Sequence, residues 1–141
     1  LIQLQVKFPG AVAAIIKYDN RLAHQIEAGS DFFLMPSRFE PCGLNQMYSL
    51  RFGTIPVVHA VGGLDDTIRD FRTSSQAANG IKFNSFDISS FQNAISIAID
   101  IFEDSKKRTD TITTGMKDDF SWDKSSEKYA NLYQKIIDNK T

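Results

Sequence analysis

The stretch Ser37 to Gln46, SRFEPCGLNQ, follows directly on the apolar run DFFLM and gathers a carboxylate, a proline, the chain's cysteine and a glycine into four successive positions. Pro41 carries no amide hydrogen, so it stands where no ladder bond is needed. Gly43 permits close backbone approach or an unusual φ. A helical pattern begins at once, so the amides of Cys42, Gly43, Leu44 and Asn45 fall in or just before its first turn. Amides there are donors without a helical acceptor, at the positive end of a helix dipole. Such a turn suits an anion, phosphate above all. A carboxylate beside it repels phosphate, so Glu40 is better suited to accept hydrogen bonds from hydroxyl groups. Phosphate next to a hydroxyl-binding carboxylate describes a sugar phosphate or a nucleotide sugar. The alternative on the same residues is a buried turn capped by a glutamate.

Other residues bear on the same chemistry. Gly62-Gly63 sets two side-chain-free positions before another helix, where a ligand can touch backbone or where an ordinary strand-to-helix turn needs room. Tyr18 can stack on a base or pack in the core. Arg38 can reach a donor phosphate or pin the turn against a carboxylate. His24 and His59 read as structural, since no third partner completes a hydrolytic triad. Asp65 and Asp66 suit a helix start. Cys42 is expected to serve by its size and its amide. Lys106, Lys107 and Arg108 form a solvated run.

These residues need elements to hold them. Leu1, Leu4 and Phe8 mark one face of a first helix, stopped by Pro9-Gly10. AVAAIIKY (residues 11–18) reads as a buried strand. Asp19 or Asn20 caps the helix RLAHQIEA, which Gly29 ends. DFFLM is a second strand. The helix LNQMYSLRF presents Leu44, Met47, Tyr48 and Phe52 as its apolar face and ends at Gly53. TIPVVHA is a third strand, and a short helix over residues 64–71 follows. Residues 72–84 read as a polar loop that returns to a short strand at 81–83. Asp87 caps a long amphipathic helix, a weaker helix covers 106–118, and Ser121 caps a last one. That helix carries Trp122, Tyr129, Leu132, Tyr133, Ile136 and Ile137 as its stripe. Strands that are apolar throughout, alternating with helices, predict an α/β fold: a Rossmann-like, doubly wound parallel sheet. Ligands of such sheets bind beyond the carboxyl ends of the strands. Those ends are residues 17–20, 36–43 and 59–66. The dinucleotide fingerprint GxGxxG is absent.

Composition narrows the classes. The 141 residues suffice for one domain, and 42% hydrophobic with 23% charged residues is ordinary for a globular protein. A net charge of -1 gives no global attraction to nucleic acid or anionic membrane. A single cysteine builds neither an internal disulfide nor a cysteine metal cluster, and no cofactor is assigned to the chain. No apolar run approaches the ~20 residues of a membrane helix. LIQLQVKF begins without methionine and reads as the middle of a longer chain.

SRFEPCGLNQ, then YSLRFGTIPVVHAVGGLDDT, with YDNRLAHQIEAGSD upstream, closely resembles the bacterial glycogen synthases and plant starch synthases. The likeness is strong from about Phe8 to Phe71, and FSWDKSSEKYANLYQKI is similar to the family's closing helix. The resemblance implies the carboxyl-terminal half of a GT-B fold. Residues 1–120 would be a partial nucleotide-sugar-binding domain without its first strands, and 121–141 a helix that crosses to the absent amino-terminal domain. It implies retaining transfer of glucose from ADP-glucose to the non-reducing end of an α-1,4-glucan without a metal, in a bacterial cytoplasm or a plastid stroma. Glu40 would bind glucose hydroxyls and orient the sugar rather than act as nucleophile, with the acceptor attacking from the leaving-group face. Cys42, Gly43 and Leu44 would hold the glucosyl and phosphate groups, Asn45 would lie near the phosphates, Tyr18 would stack on adenine, and Gly62 and Gly63 would lie near the donor. Tyr48 stands where related transferases carry a second glutamate. Val61 replaces the commoner threonine before GGL. The cations that neutralise the leaving ADP are expected upstream of Leu1, so this piece alone should not catalyse transfer. Two other readings are a UDP-glucose-dependent relative and a non-catalytic nucleotide-sugar or glucan-binding module.

Overall fold

The computed structural model describes residues 1–73 and 77–139. Three parallel strands form the centre: β1 (Phe32–Met35), β2 (Ile55–His59) and β3 (Ile81–Phe83), in the order β1-β2-β3. Leu34 lies opposite Val57, and Val57 opposite Ile81. Every residue of β2 is buried, because a central strand covered on both sides has no wet face.

Alternation along β2 divides the core into two layers. Ile55 and Val57 join Ile81 and Phe83 under Ala94, Ala98 and Ile101 of α5 (Ile88–Glu103). Val58 turns the other way, to Met35, Leu50 and Leu64. Leu50 belongs to α3 (Asn45–Phe52) and Leu64 to α4 (Gly62–Thr67). Helices therefore cover both faces, as a doubly wound α/β sheet requires. α1 (Ile2–Lys7) and α2 (Asn20–Gly29) precede the sheet, while α6 (Ser105–Met116) and α7 (Trp122–Asp138) follow it. Asp19, Asp87 and Ser121 accept from the amides of Leu22, Ser90 and Lys124, so all three expected caps form. The Lys17 ammonium, and after it the Leu22 amide, hold the Asp19 carboxyl below the usual carboxylate range. The Ser90 amide does the same for Asp87.

Three expectations are corrected. Residues 11–18 form no strand: Ile15 and Ile16 are exposed, and the Ala14 amide is bonded to the Gln5 side chain. A strand needs a neighbouring strand's backbone, and none of the described strands pairs with this segment. The inward face of α3 is Gln46, Ser49 and Leu50, whereas Leu44, Tyr48 and Phe52 are exposed. The positions 46, 49 and 50 also share one helical face, and Gln46 has hydrogen-bonding work there. The short helix begins at Gly62, not 64, and ends at Thr67, since Ile68 is already extended. The loop expected over 72–84 includes residues 74–76, which lie outside the described residues; the strand at its end is β3. α7 buries none of its residues, and its aromatic stripe is exposed. Among the described residues no helix is long and apolar enough to cross a membrane.

Candidate functional site

Glu40 to Leu44 link the carboxyl end of β1 to α3, and this turn is fastened from three sides. The Gly63 amide donates to the Glu40 carbonyl at 3.0 Å, joining the turn to the start of α4. Gln46, fully buried, donates from Nε2 to the carbonyls of Cys42 (3.1 Å) and Gly43 (3.0 Å) and to the Thr67 hydroxyl (3.2 Å). His59, the last residue of β2, donates from Nδ1 to the Ser37 carbonyl at 2.7 Å, and the Ser37 hydroxyl reaches Glu40 Oε2 at 3.4 Å. A carbonyl only accepts, so the Nδ1 of His59 carries a proton. Stacking on Phe83, with centroids 5.3 Å apart, fixes the imidazole plane.

These fastenings consume carbonyls and leave amides. Among the described residues, none of the amides of Cys42, Gly43, Leu44 or Asn45 finds an acceptor in the protein. Cys42, Leu44 and Asn45 are exposed and Gly43 half-buried. Gly43 adopts φ +69, in the left-handed region, which leaves the following amides together at the opening of α3. The arrangement offers a row of main-chain donors with a half-buried carboxylate, Glu40, beside it. It can hold an anion and orient a hydroxyl-bearing group next to it.

Gly62 and Gly63 have a more definite role than open space for a ligand. A Cβ at Gly62 would lie 2.2 Å from the Glu40 carbonyl oxygen, and one at Gly63 would lie 1.9 Å from that of Cys42. The side of this pair that lacks side chains is filled by the turn itself.

A cavity of about 480 Å³ between α2 and α3 brings Tyr18, Leu44 and Asn45 together with His24, Glu27 and Tyr48. Tyr18 stands almost free at its rim, 94% exposed. Arg38 goes elsewhere: its guanidinium lies over the Phe86 ring at 5.0 Å, on neither a carboxylate nor this cavity. Asp65 pairs with Lys82 at 2.6 Å and lies in the first turn of α4. Among the described residues no group of three His, Cys, Asp or Glu could hold a metal.

Sequence reasoning did not single out Gln46, Thr67 or Ser37, and it gave His59 no partner. Gln46 carried one signal, a polar residue at a position spaced to share a helix face with Leu50. The Ser37–His59 pair spans 22 positions and left no local trace.

Known proteins resemble this chain over most of its length. The glycosyl transferases group 1 family profile matches residues 2–118. A glycogen synthase from Koribacter versatilis is 44% identical over 133 residues, 94% of this chain and 28% of that protein. A glycogen synthase from Anaeromyxobacter sp. (strain Fw109-5) is 50% identical over 128 residues, 91% of this chain and 27% of that protein. The chain thus spans little more than a quarter of these relatives' length. The catalytic domain of starch synthase IV from Arabidopsis thaliana, solved bound to ADP and acarbose, superposes with TM-score 0.84 at 38% identity, over 95% of this chain and 28% of that one. The α/β, GT-B-type architecture expected from the sequence stands on that match. On the profile match, which spans most of its length, the chain belongs to the glycosyl transferases group 1 family.

Proposed function

We propose that this chain is the donor-binding part of a glycogen or starch synthase, a retaining transferase that moves glucose from ADP-glucose to the non-reducing end of an α-1,4-glucan. The observation that carries the reading is the row of unpaired amides at residues 42–45 with Glu40 beside them, in a turn held rigid by Gln46 and Gly63. The ADP in the starch synthase IV structure supports the nucleotide half of this assignment. The diphosphate rests on the amides that open α3, Asn45 lies near it, and Tyr18 stacks on the base. Glu40 accepts from glucose hydroxyls. Glucosyl transfer develops negative charge on the departing diphosphate, and fixed dipoles aimed at that charge stabilise it without reorganising. The exposed stripe of α7 supports its packing on another domain of the same polypeptide, which would also carry the acceptor surface.

Tyrosine fluorescence tests the donor assignment. Titrating ADP into the purified protein is expected to quench Tyr18 saturably, with UDP weaker. Equal or tighter UDP binding would favour a UDP-glucose enzyme, and no binding of either would end the nucleotide reading. Glu40→Gln tests the sugar half in the full-length enzyme. A hydrogen bond to a charged group is worth ~1.5–3 kcal/mol, so kcat/KM for ADP-glucose should fall roughly ten- to a hundred-fold. ADP lacks the glucose, so its Kd should stay unchanged. Near wild-type turnover in this variant would remove Glu40 from the site.

A further inference from the structure

The cavity between α2 and α3 has an ionisable group in its wall to which the donor assignment gives no role. Glu27, in the last turn of α2, is only 2% exposed, and its Oε2 is buried without a hydrogen-bond partner. A carboxyl rarely stays in such a place without a partner, because burial of its charge is costly. Its neighbour is His24, whose Nδ1 lies 3.7 Å from Oε2 and is likewise buried without a bond. Burial pushes the Glu27 carboxyl up, while the His24 ring pulls it down.

The imidazole is held on its flanks as well. Tyr48 meets it edge-on with centroids 5.2 Å apart, and Phe52 does so at 6.2 Å. Yet the His24 side chain remains 42% exposed, and both His24 and Glu27 line the cavity shared by Tyr18, Leu44 and Asn45. Nδ1 is buried on the Glu27 side, so the exposed part of the ring is the part away from Nδ1. An inward carboxylate favours the proton on Nδ1, as a carboxylate does wherever it orients a histidine. With the proton on Nδ1, Nε2 is an acceptor, on a side chain that lines the same cavity as Tyr18, Leu44 and Asn45.

We propose that His24 contacts the nucleoside of the bound nucleotide, accepting a hydrogen bond from an amino or hydroxyl hydrogen, with Glu27 as the positioning residue that sets its tautomer. The proposal rests on the nucleotide reading above and adds to it a second recognition group, on α2 rather than on the α3 turn. It assigns His24 to the nucleoside and leaves the diphosphate to the main chain.

The test compares ADP with inorganic pyrophosphate, which shares the phosphates and lacks the nucleoside, by calorimetry on the full-length protein. His24→Leu is expected to weaken ADP about tenfold, the range of one hydrogen bond, and to leave pyrophosphate unchanged. His24→Gln, which keeps a polar group near Nε2, should recover most of that loss. Glu27→Gln should weaken ADP by roughly threefold. The double variant Glu27→Gln/His24→Leu should be no worse than His24→Leu, because one residue acts through the other. 2′-Deoxy-ADP and inosine diphosphate separate the two sources of hydrogen. Whichever loses its sensitivity to His24→Leu identifies the ribose hydroxyl or the adenine amino group. Equal ADP affinity in wild type and both His24 variants would overturn the proposal while leaving the nucleotide reading intact. A parallel loss for pyrophosphate would also overturn it, since a collapsed pocket affects both ligands. Wild-type protein that binds neither ligand would remove the nucleotide reading itself, and this inference with it. If His24→Leu fails to fold, Glu27→Gln decides in its place: ADP binding as tight as in wild type would overturn the proposal, and a threefold loss confined to ADP would support it.

Discussion

Gly63→Ala is expected to weaken donor binding by roughly a hundredfold or more, although Gly63 touches no donor in the arrangement proposed. The added methyl carbon would sit 1.9 Å from the Cys42 carbonyl oxygen, 2.5 Å from its carbon and 2.6 Å from Cys42 Cα. All three are main-chain atoms, so no side chain can swing aside. Either α4 or the turn at residues 40–44 must move, and the Gly63 amide bond to the Glu40 carbonyl breaks as it does. Forcing a methyl into a packed interior costs about 1–3 kcal/mol. The bond adds about 1 kcal/mol. That cost falls on the turn that carries Glu40 and the free amides, so ADP affinity should drop by roughly a hundredfold or more. Gly29→Ala is the matched control. A Cβ there meets nothing within 4 Å, and affinity should be unchanged. Denaturant unfolding and calorimetry on the pair give both quantities. Should Gly63→Ala bind ADP as Gly29→Ala does, the glycine pair would have no part in shaping the turn.

The glycine pair shows why some of this site is legible in sequence and some is not. Free amides at the opening of α3 follow from local facts: a proline, a glycine and the start of a helical pattern within a few residues. The caps at Asp19, Asp87 and Ser121 are local in the same sense. β1 and β2 announce themselves as short apolar runs. Residues 11–18 have the same composition and form no strand, because pairing is a property of two segments and composition describes one. Gly62 and Gly63 are visible as an absence of side chains, but what fills that absence, the Glu40–Cys42 backbone, lies about twenty positions away in sequence. Arg38 sits in the motif and still turns to Phe86. An exposed guanidinium has several partners within reach, and its spacing in the chain does not choose among them. α3 departs from its expected face for a related reason. Apolar residues at 44, 47, 48 and 52 form a helical face, yet the buried face is the one carrying Gln46 and Ser49. Gln46 goes inside because its amide bonds the Cys42 and Gly43 carbonyls and, 21 positions away, Thr67, whereas the Ser49 hydroxyl is buried with no hydrogen-bond partner.

Gln46→Leu is the second large effect, and it separates two explanations of the anion site. On the first, the α3 dipole suffices, and any helix opening at Leu44 would hold a diphosphate. On the second, the site exists because the Gln46 amide draws the carbonyls of Cys42 and Gly43 inward, which turns the adjoining amides outward. The geometry favours the second. Gln46 is 0% exposed, and its Nε2 reaches three acceptors, two of them in the turn and the third on Thr67 of α4. Leucine has similar volume and no donor, so it leaves both partly buried carbonyls without their bond, at about 1 kcal/mol or more each. A chain with those carbonyls unbonded would rotate the peptide planes toward water and carry the amides with them. The expected result is a stability loss of about 2–4 kcal/mol and a fall in ADP affinity of about a hundredfold, with the helical circular dichroism retained. Thr67→Val removes the third acceptor and the Thr67 hydroxyl's own bond to the Gly63 carbonyl, but leaves Gln46 on both turn carbonyls, so it should cost less. Hydrogen exchange at residues 42–45 reports the orientation directly: ADP should slow these amides in the wild type and leave them unprotected in Gln46→Leu. If ADP protects them equally in both proteins, the helix opening alone makes the site, and the buried glutamine serves only to fasten α3 to α4.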